Sequence, residues 1–387
     1  MRIALATDWF APRVGGIESQ LQQLAVRLSE RGHSVDVLTT TPGDPGSGGF
    51  AVRRLDVLTL PGVGVAVSPR LPRAVDRELR RGYDIVHCHA SVVSPLGYTA
   101  AAVARRMGLP VVVTFHSVLR YKRHLLRLAR LVARGTEAQI RWTAVSSTVA
   151  DQASTALRQP VDILPNGADM PFWNAMASPR AGADGDDGDD VDEGDEPVRG
   201  VTLVSAGRLE RKKRALALTR AFLSARARSG VNATLVLAGE GAARRRIERE
   251  LRGNPDAGVE LVGWRSREQL RSLYRSADGF ALASRHESFG IAALEARAAG
   301  LPVIAMRSAG CRDFLRDGDD ALLCGDDRDL ETQLTRFLGD ARLRTRLRSA
   351  KVCLDRYDWP AVLASHERIY SLAISSGVSS PAAAAMP

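Results

Sequence analysis

No stretch of the 387 residues reaches the roughly 18 uncharged apolar positions that a spanning helix needs, so any membrane contact is expected to be peripheral. Cysteine is scarce and scattered. Cys88, Cys311, Cys324 and Cys353 show no CxxC spacing, which speaks against a disulfide framework and a thiolate zinc site and fits a reducing cytoplasm. Lysine is nearly missing: Lys122, Lys212, Lys213 and Lys351 are the four among 54 basic residues. The abundance of arginine therefore reads as compositional bias, and without a basic face interleaved with aromatics no nucleic acid is expected as a partner. At the N-terminus, MRIALATDWF carries one arginine and an apolar run broken by Asp8, which reads as a first strand and not a signal peptide.

The length suits two α/β domains, each able to bury its own core. Apolar strands alternate with amphipathic helices: RIALAT, a helix over about 17–31, then SVDVLTT, DIVHCH, VVVTFH, WTAVSS and VDILPN. Such alternation predicts a parallel sheet covered on both faces. The pattern stops after Pro171 and restarts with VTLVSAG, ATLVLAG, VELVG, GFALAS and LPVIAM. Between the halves, 178–198 is Gly/Asp-rich and expected to be a disordered linker; its nine acids at 184–196 leave a formal +19 on the remainder of a chain whose net charge is +10. The expected domains are thus 1–177 and 199–353, with a helix at 354–372 packing back toward the first domain and a flexible tail at 373–387.

Three places could carry chemistry. Gly15-Gly16, in the first strand-to-helix turn, bares backbone amides at a helix start, an anion site or a plain glycine turn. The second half opens with a strand ending in Gly207-Arg208-Leu209, followed by Lys212-Lys213. Cations at the carboxyl edge of a sheet suit a departing diphosphate; the alternative is a solvated helix start. The third is Glu287-Ser288-Phe289-Gly290-Ile291-Ala292-Ala293-Leu294-Glu295, in which helix-start amides meet two carboxylates, the second in an otherwise small and apolar stretch. His87-Cys88-His89 mimics a metal cluster, but two strand histidines without carboxylates fit a strand end better. The DGD at 317–319 reads as solvated charge.

With the Gly-Gly turn, these segments and Thr114-Phe115-His116-Ser117, LPNGAD (164–169), GRLERKK (207–213), AGEG (238–241) and LVGW (261–264), the chain resembles family-4 retaining glycosyltransferases of the GT-B fold, an α/β architecture of two facing Rossmann-like domains with an interdomain cleft. The resemblance implies a metal-independent reaction with no cofactor. It places the donor, a nucleoside-diphosphate sugar, on Gly15, Gly16, Arg208, Lys213, Gly239, Val262, Glu287, Phe289, Gly290, Ile291 and Glu295, with Glu287 at the sugar and Glu295 at the ribose. His116, Glu287, Arg208 and Lys213 would form the catalytic set. Two departures stand out: Arg214 where glycine is usual after the lysine, and Ala309-Gly310-Cys311-Arg312-Asp313 in place of GG-x-P-E.

The segments TDWFAPRVGGIESQ and HCHASVVSPLG further resemble phosphatidylinositol mannosyltransferases and the catalytic subunit of the phosphatidylinositol N-acetylglucosaminyltransferase, which implies a lipid acceptor met by Glu18, His89 and His116, with GDP-mannose as donor. Arg70, Arg73, Arg77, Arg80 and Arg81 on a short helix with Leu71, Val75 and Leu79, and a second basic run at 120–134, could lie on the anionic inner face of the cell membrane, apolar side inward, or be solvated faces. Alternatives are transfer of N-acetylglucosamine or glucose to a soluble or polysaccharide acceptor, a nucleoside-diphosphate-sugar epimerase, and a membrane-associated binding subunit without activity.

Overall fold

The computed structural model describes residues 1–13, 15–44, 49–58, 68–118, 140–174, 200–254, 256–351 and 353–377; the basic run 120–134 and the acidic segment lie outside them. Two compact units emerge, Met1–Gly167 with Arg356–Pro387, and Ala168–Asp355.

The first unit is built on β1 (Arg2–Thr7), α1 (Gly16–Glu30), β2 (Ser34–Thr39), β3 (Ala51–Arg54), α2 (Leu71–Leu79), β4 (Ile85–Ala90), α3 (Pro95–Arg106), β5 (Val111–Phe115), β6 (Ile140–Ala144), α4 (Ser147–Leu157) and β7 (Asp162–Ile163). All pairings are parallel, in the order β3-β2-β1-β4-β5-β6-β7. Helices on both faces explain why the central strands read as unbroken apolar runs: every residue of β4 and β5 is buried. The chain reverses direction across the sheet between β1 and β4. Loops leaving the carboxyl ends of those two strands therefore diverge and leave a crevice, the usual ligand position in open α/β sheets.

The second unit repeats the plan. Helix α5 (Met170–Asn174) precedes β8 (Val201–Ala206), α6 (Ala215–Ser229), β9 (Ala233–Ala238), α7 (Arg244–Glu250), β10 (Val259–Gly263), α8 (Arg267–Ser276), β11 (Gly279–Leu282), α9 (Ile291–Ala298), β12 (Val303–Met306), β13 (Ala321–Cys324), α10 (Asp327–Gly339) and α11 (Ala341–Ser349). The parallel order β10-β9-β8-β11-β12-β13 puts the reversal between β8 and β11. Leu203, Phe222, Leu235, Ile304 and Phe337 fill the core between sheet and helices. The sequence pattern carries the first domain to 177, whereas 168–174 group with the second unit, because Trp173 packs on Tyr274 of α8.

Helix α12 (Trp359–Gly377) returns to the first unit, and its Trp359, Val362, Leu363, Ile369 and Tyr370 complete that unit's core beside Leu5, Leu21 and Leu24. The backbone comes nearest at Gly167, where a Cβ would lie 2.8 Å from the Trp359 indole. Opposite it, the Gln20 amide clamps the Gly167 backbone, donating to the carbonyl at 2.8 Å and accepting from the N–H at 3.0 Å. Gly167→Ala is therefore expected to push α12 outward and to lower stability by about 1–3 kcal/mol, read as a drop in the urea midpoint; an unchanged midpoint would show that the indole can yield.

Candidate active site

At the reversal of the second sheet, three strand ends run side by side. Gly207, Gly239 and Gly263 have positive φ, and hydrogen bonds link Gly207 N–H to the Ala238 carbonyl (2.9 Å) and Gly239 N–H to the Gly263 carbonyl (2.7 Å). A Cβ on Gly239 would fall 2.0 Å from the Gly207 carbonyl oxygen, so only glycine lets these backbones touch. Val262 is half-buried within β10 beside this crest. From the crest the chain runs through Arg208, half-exposed and 3.1 Å from Glu210, into a single 3₁₀ turn, Arg211–Lys213, where the sequence suggested the start of the next helix.

Lys213 Nζ donates to Glu287 Oε2 at 2.6 Å, joining the loop after β8 to the loop after β11 across the reversal. The lysine side chain is 35% exposed and the carboxylate 13%, so the pair is shielded on Glu287's side and open on that of Lys213. Glu287 also anchors the neighbouring loop by accepting from Gly310 N–H through its carbonyl at 2.8 Å. Phe289 and Gly290 are buried below it and Ile291 opens α9. Gly290 takes φ 93° as the N-cap, and a Cβ there would lie 3.0 Å from Cys311 Cβ. The departing segment 309–313 therefore packs directly under the Glu287 loop.

Glu295, near the end of α9, is half-buried, and the surrounding protein pushes its carboxyl up to about 7 against the opposing pull of Arg267. A carboxyl poised there can donate to or accept from a hydroxyl. The residue at the usual glycine position, Arg214, adopts φ 57°, ψ 31°, the left-handed conformation that costs an L-residue roughly 1–2 kcal/mol. Asp327 offsets this by accepting from Arg214 Nη2 at 2.6 Å while also pairing with Arg285 at 2.8 Å. Arg214→Gly is expected to leave stability within about 1 kcal/mol of the parent, since strain relief and loss of a half-exposed ion pair oppose each other; a loss several-fold larger in a thermal melt would show that the pairing with Asp327 outweighs the backbone strain.

In the first unit, the Glu18 side chain folds back beside Gly15, so that a Cβ there would meet Glu18 Oε2 at 2.2 Å, and Arg13 pairs with the same carboxylate at 3.1 Å. A negative group in the first turn of α1 suits the helix dipole. Glu18 is itself buried, at 8% exposure. Asp8, which in the sequence reads only as a charge breaking an apolar run, sits wholly buried and takes hydrogen bonds from Ser94 Oγ, Leu96 N–H (3.0 Å) and Gly97 N–H (3.4 Å), thereby capping α3.

His89 and His116 come together, Nδ1 to Nε2 at 2.9 Å, and line a small pocket with Gln20, Thr114, Asn166 and His366. His87 stacks on His89 with ring centroids 4.0 Å apart, confirming that alternate strand residues share one face. Among the described residues no group of three or more His, Cys, Asp or Glu could hold a metal. Burial pushes His116 down to about 3 and His366 to about 4, with His87 and His89 also well below 6.5, so all four imidazoles are neutral at neutral pH.

The five arginines around α2 are exposed, but the apolar face they flank is not: Leu71, Val75 and Leu79 are at most 3% exposed, within the folded unit. That corrects the idea of this helix lying apolar side down on a bilayer. Asp76 and Glu78 further pair with Arg80, Arg81 and Arg77. Asp317 likewise serves structure, pairing with Arg307 and accepting from Leu323 N–H.

Residues 14–171 match the model of Glycosyltransferase Family 4, and residues 189–351 that of Glycosyl transferases group 1. The chain is a family-4 glycosyltransferase of the GT-B fold. The enzyme is 27% identical to the phosphatidyl-myo-inositol mannosyltransferase of Mycobacterium leprae, over 97% of this chain and 98% of that one. It is 28% identical to the D-inositol 3-phosphate glycosyltransferase of Acidothermus cellulolyticus, over 80% and 74% of the two chains. The structure of Anabaena Alr3699/HepE in complex with UDP and glucose shares the fold with a TM-score of 0.70 at 16% identity, covering 96% of this glycosyltransferase and 99% of that chain. No helix among the described residues is long and apolar enough to cross a membrane.

Sequence reasoning on the glycosyltransferase misses His366 and Tyr370, which reach the histidine cluster only because α12 folds back. The cluster sets a pH dependence. The unfolded chain protonates these histidines below 6.5 while the folded one holds them neutral to much lower pH, so the stability they contribute is constant above about 6.5 and is lost as pH falls toward 4. Each histidine contributes up to about 1.4 kcal/mol per pH unit in that window. Melting temperatures should fall between about pH 7 and pH 5, with a shallower slope in His366→Leu.

Proposed function

We propose that the enzyme transfers a hexose, with mannose favoured, from a nucleoside-diphosphate sugar to a lipid-linked acceptor of the phosphatidylinositol type, with retention of configuration and without a metal ion. The observation that carries this reading is the Lys213–Glu287 pair at the reversal of the second sheet, with Arg208 on the loop that leads to it. A departing diphosphate develops negative charge as the bond from its oxygen to the sugar's anomeric carbon breaks. The open side of Lys213 and the half-exposed guanidinium of Arg208 supply the fixed positive charge this needs. Glu287 holds Lys213 in place and keeps an oxygen for a sugar hydroxyl; Glu295 takes the ribose hydroxyls. The acceptor oxygen attacks the face that the diphosphate leaves, and its proton passes to a phosphate oxygen. On the first unit's edge, His116, His89 and Glu18 serve the acceptor side.

Full-length similarity to enzymes named for phosphatidyl-myo-inositol supports the acceptor class. A second reading, a soluble acceptor, is favoured by the buried apolar face of α2, which removes one expected bilayer contact, and by similarity to glycosyltransferases named for D-inositol 3-phosphate. The deciding experiment incubates the enzyme with labelled GDP-mannose and either phosphatidylinositol vesicles or inositol phosphate. Transfer to the vesicles should be lost by about 10²-fold or more in Lys213→Ala and Glu287→Ala with melting curves preserved. Transfer to inositol phosphate alone would replace the lipid reading with the soluble one; full activity in both variants would remove the proposed diphosphate site.

A further inference from the structure

The buried histidine cluster of the first unit is held in one chain of hydrogen bonds. Thr143 Oγ1 lies 3.2 Å from the Val113 carbonyl and 2.5 Å from Thr114 Oγ1, and Thr114 Oγ1 in turn lies 2.7 Å from His87 Nε2, whose Nδ1 is 2.8 Å from the Tyr370 hydroxyl. His366 is fixed, because its Nδ1 lies 2.8 Å from the Val362 carbonyl and must carry the proton. Tautomers of buried imidazoles follow from such networks.

The remaining pair, His89 Nδ1 and His116 Nε2, shares one hydrogen, and two arrangements are open. If His116 donated, the proton of neutral His89 would sit on Nε2, a nitrogen that is buried without any hydrogen-bond partner. A buried N–H with no acceptor is rare and costs desolvation outright. If His89 donates from Nδ1, its Nε2 is a bare lone pair, and the N–H left without a partner among the described residues is that of His116 Nδ1, which, unlike His89 Nε2, is not sealed from solvent. The burial of His89 Nε2 therefore favours the second arrangement, in which His116 accepts at Nε2 and carries its own proton on Nδ1.

We propose that His89 is a positioning residue that locks His116 in the Nδ1–H tautomer, so that His116 offers a hydrogen-bond donor, and no base, to the reacting groups. The proposal rests on the reading of His116 as a residue that faces substrate. Its consequence is chemical: a fixed Nδ1–H can hold a sugar or acceptor oxygen but cannot remove the acceptor's proton, which leaves a phosphate oxygen of the departing diphosphate as the base. His89 itself, at 5% exposure and engaged through Nδ1, acts through His116 and not on the acceptor directly.

The test uses the whole enzyme labelled with ¹⁵N-histidine, with the His116 signals assigned by their loss in His116→Asn. Near neutral pH, long-range ¹H–¹⁵N correlation should show a pyrrole-type Nδ1 and a pyridine-type Nε2 for His116; a proton on Nε2 overturns the proposal whatever the activity. In His89→Leu the tautomer should no longer be held, and kcat for transfer from GDP-mannose should fall on the order of 10- to 100-fold with the donor KM unchanged. His89→Asn, whose amide can donate near the place of Nδ1, should restore both signals and rate to within several-fold. Unchanged kcat in a folded His89→Leu overturns the positioning role. Full activity in a folded His116→Leu shows instead that the substrate-facing reading of His116 has failed, an outcome separable from the tautomer result because the spectrum is read without substrate.

Discussion

Parallel strands covered by helices on both faces leave no room for polar chemistry except at the strand ends, and this constraint governs both units. Every residue of β4 and β5 is buried, so a side chain that must meet a substrate has to leave from the carboxyl edge. The two reversals, between β1 and β4 and between β8 and β11, concentrate these departures. At the second lies the lysine–glutamate pair. At the first lie the histidine ladder and the Asp8 cap of α3. A half-exposed lysine–carboxylate pair and a stack of neutral imidazoles pose opposite electrostatic problems, and each unit meets one of them with the same scaffold.

Much of this is legible in the sequence. Alternation of strands and helices is enough for two parallel sheets because each apolar run is short and bounded by turns. Glu287 and Lys213 can be singled out, one by its place between a strand and an Ala-rich helix, the other by rarity in a chain with four lysines. What resists is anything decided over long separations. Nothing local tells that Tyr370 meets His87, 283 residues away, or that Gln20 clamps the backbone at Gly167. The fold-back of Glu18 beside Gly15 escapes for a different reason: a short spacing does not tell whether an acid's side chain turns toward the preceding glycine turn or away from it. The basic helix α2 shows the same limit, since an amphipathic pattern looks identical whether its apolar stripe meets a bilayer or a neighbouring helix.

The departures from the family pattern are local solutions with visible compensation. Arg214 accepts a left-handed backbone that glycine would take freely, and Asp327, held also by Arg285, secures the side chain. Cys311 stands close enough to Gly290 that neither position can change in size independently. Such couplings explain how the loop carrying Glu287 keeps its course on a different set of supporting residues.

The chain's path also bears on its biogenesis. The first unit is discontinuous: its core needs Trp359 and Tyr370, which emerge from the ribosome only after the whole of 168–355 has been made. The contiguous second unit can finish folding while its partner still exposes the apolar groove that α12 will fill, and domains generally fold as units during synthesis. For this enzyme the N-terminal half is therefore the last to mature, and the interval before α12 arrives is when a nascent chain is most exposed to chaperones and proteases.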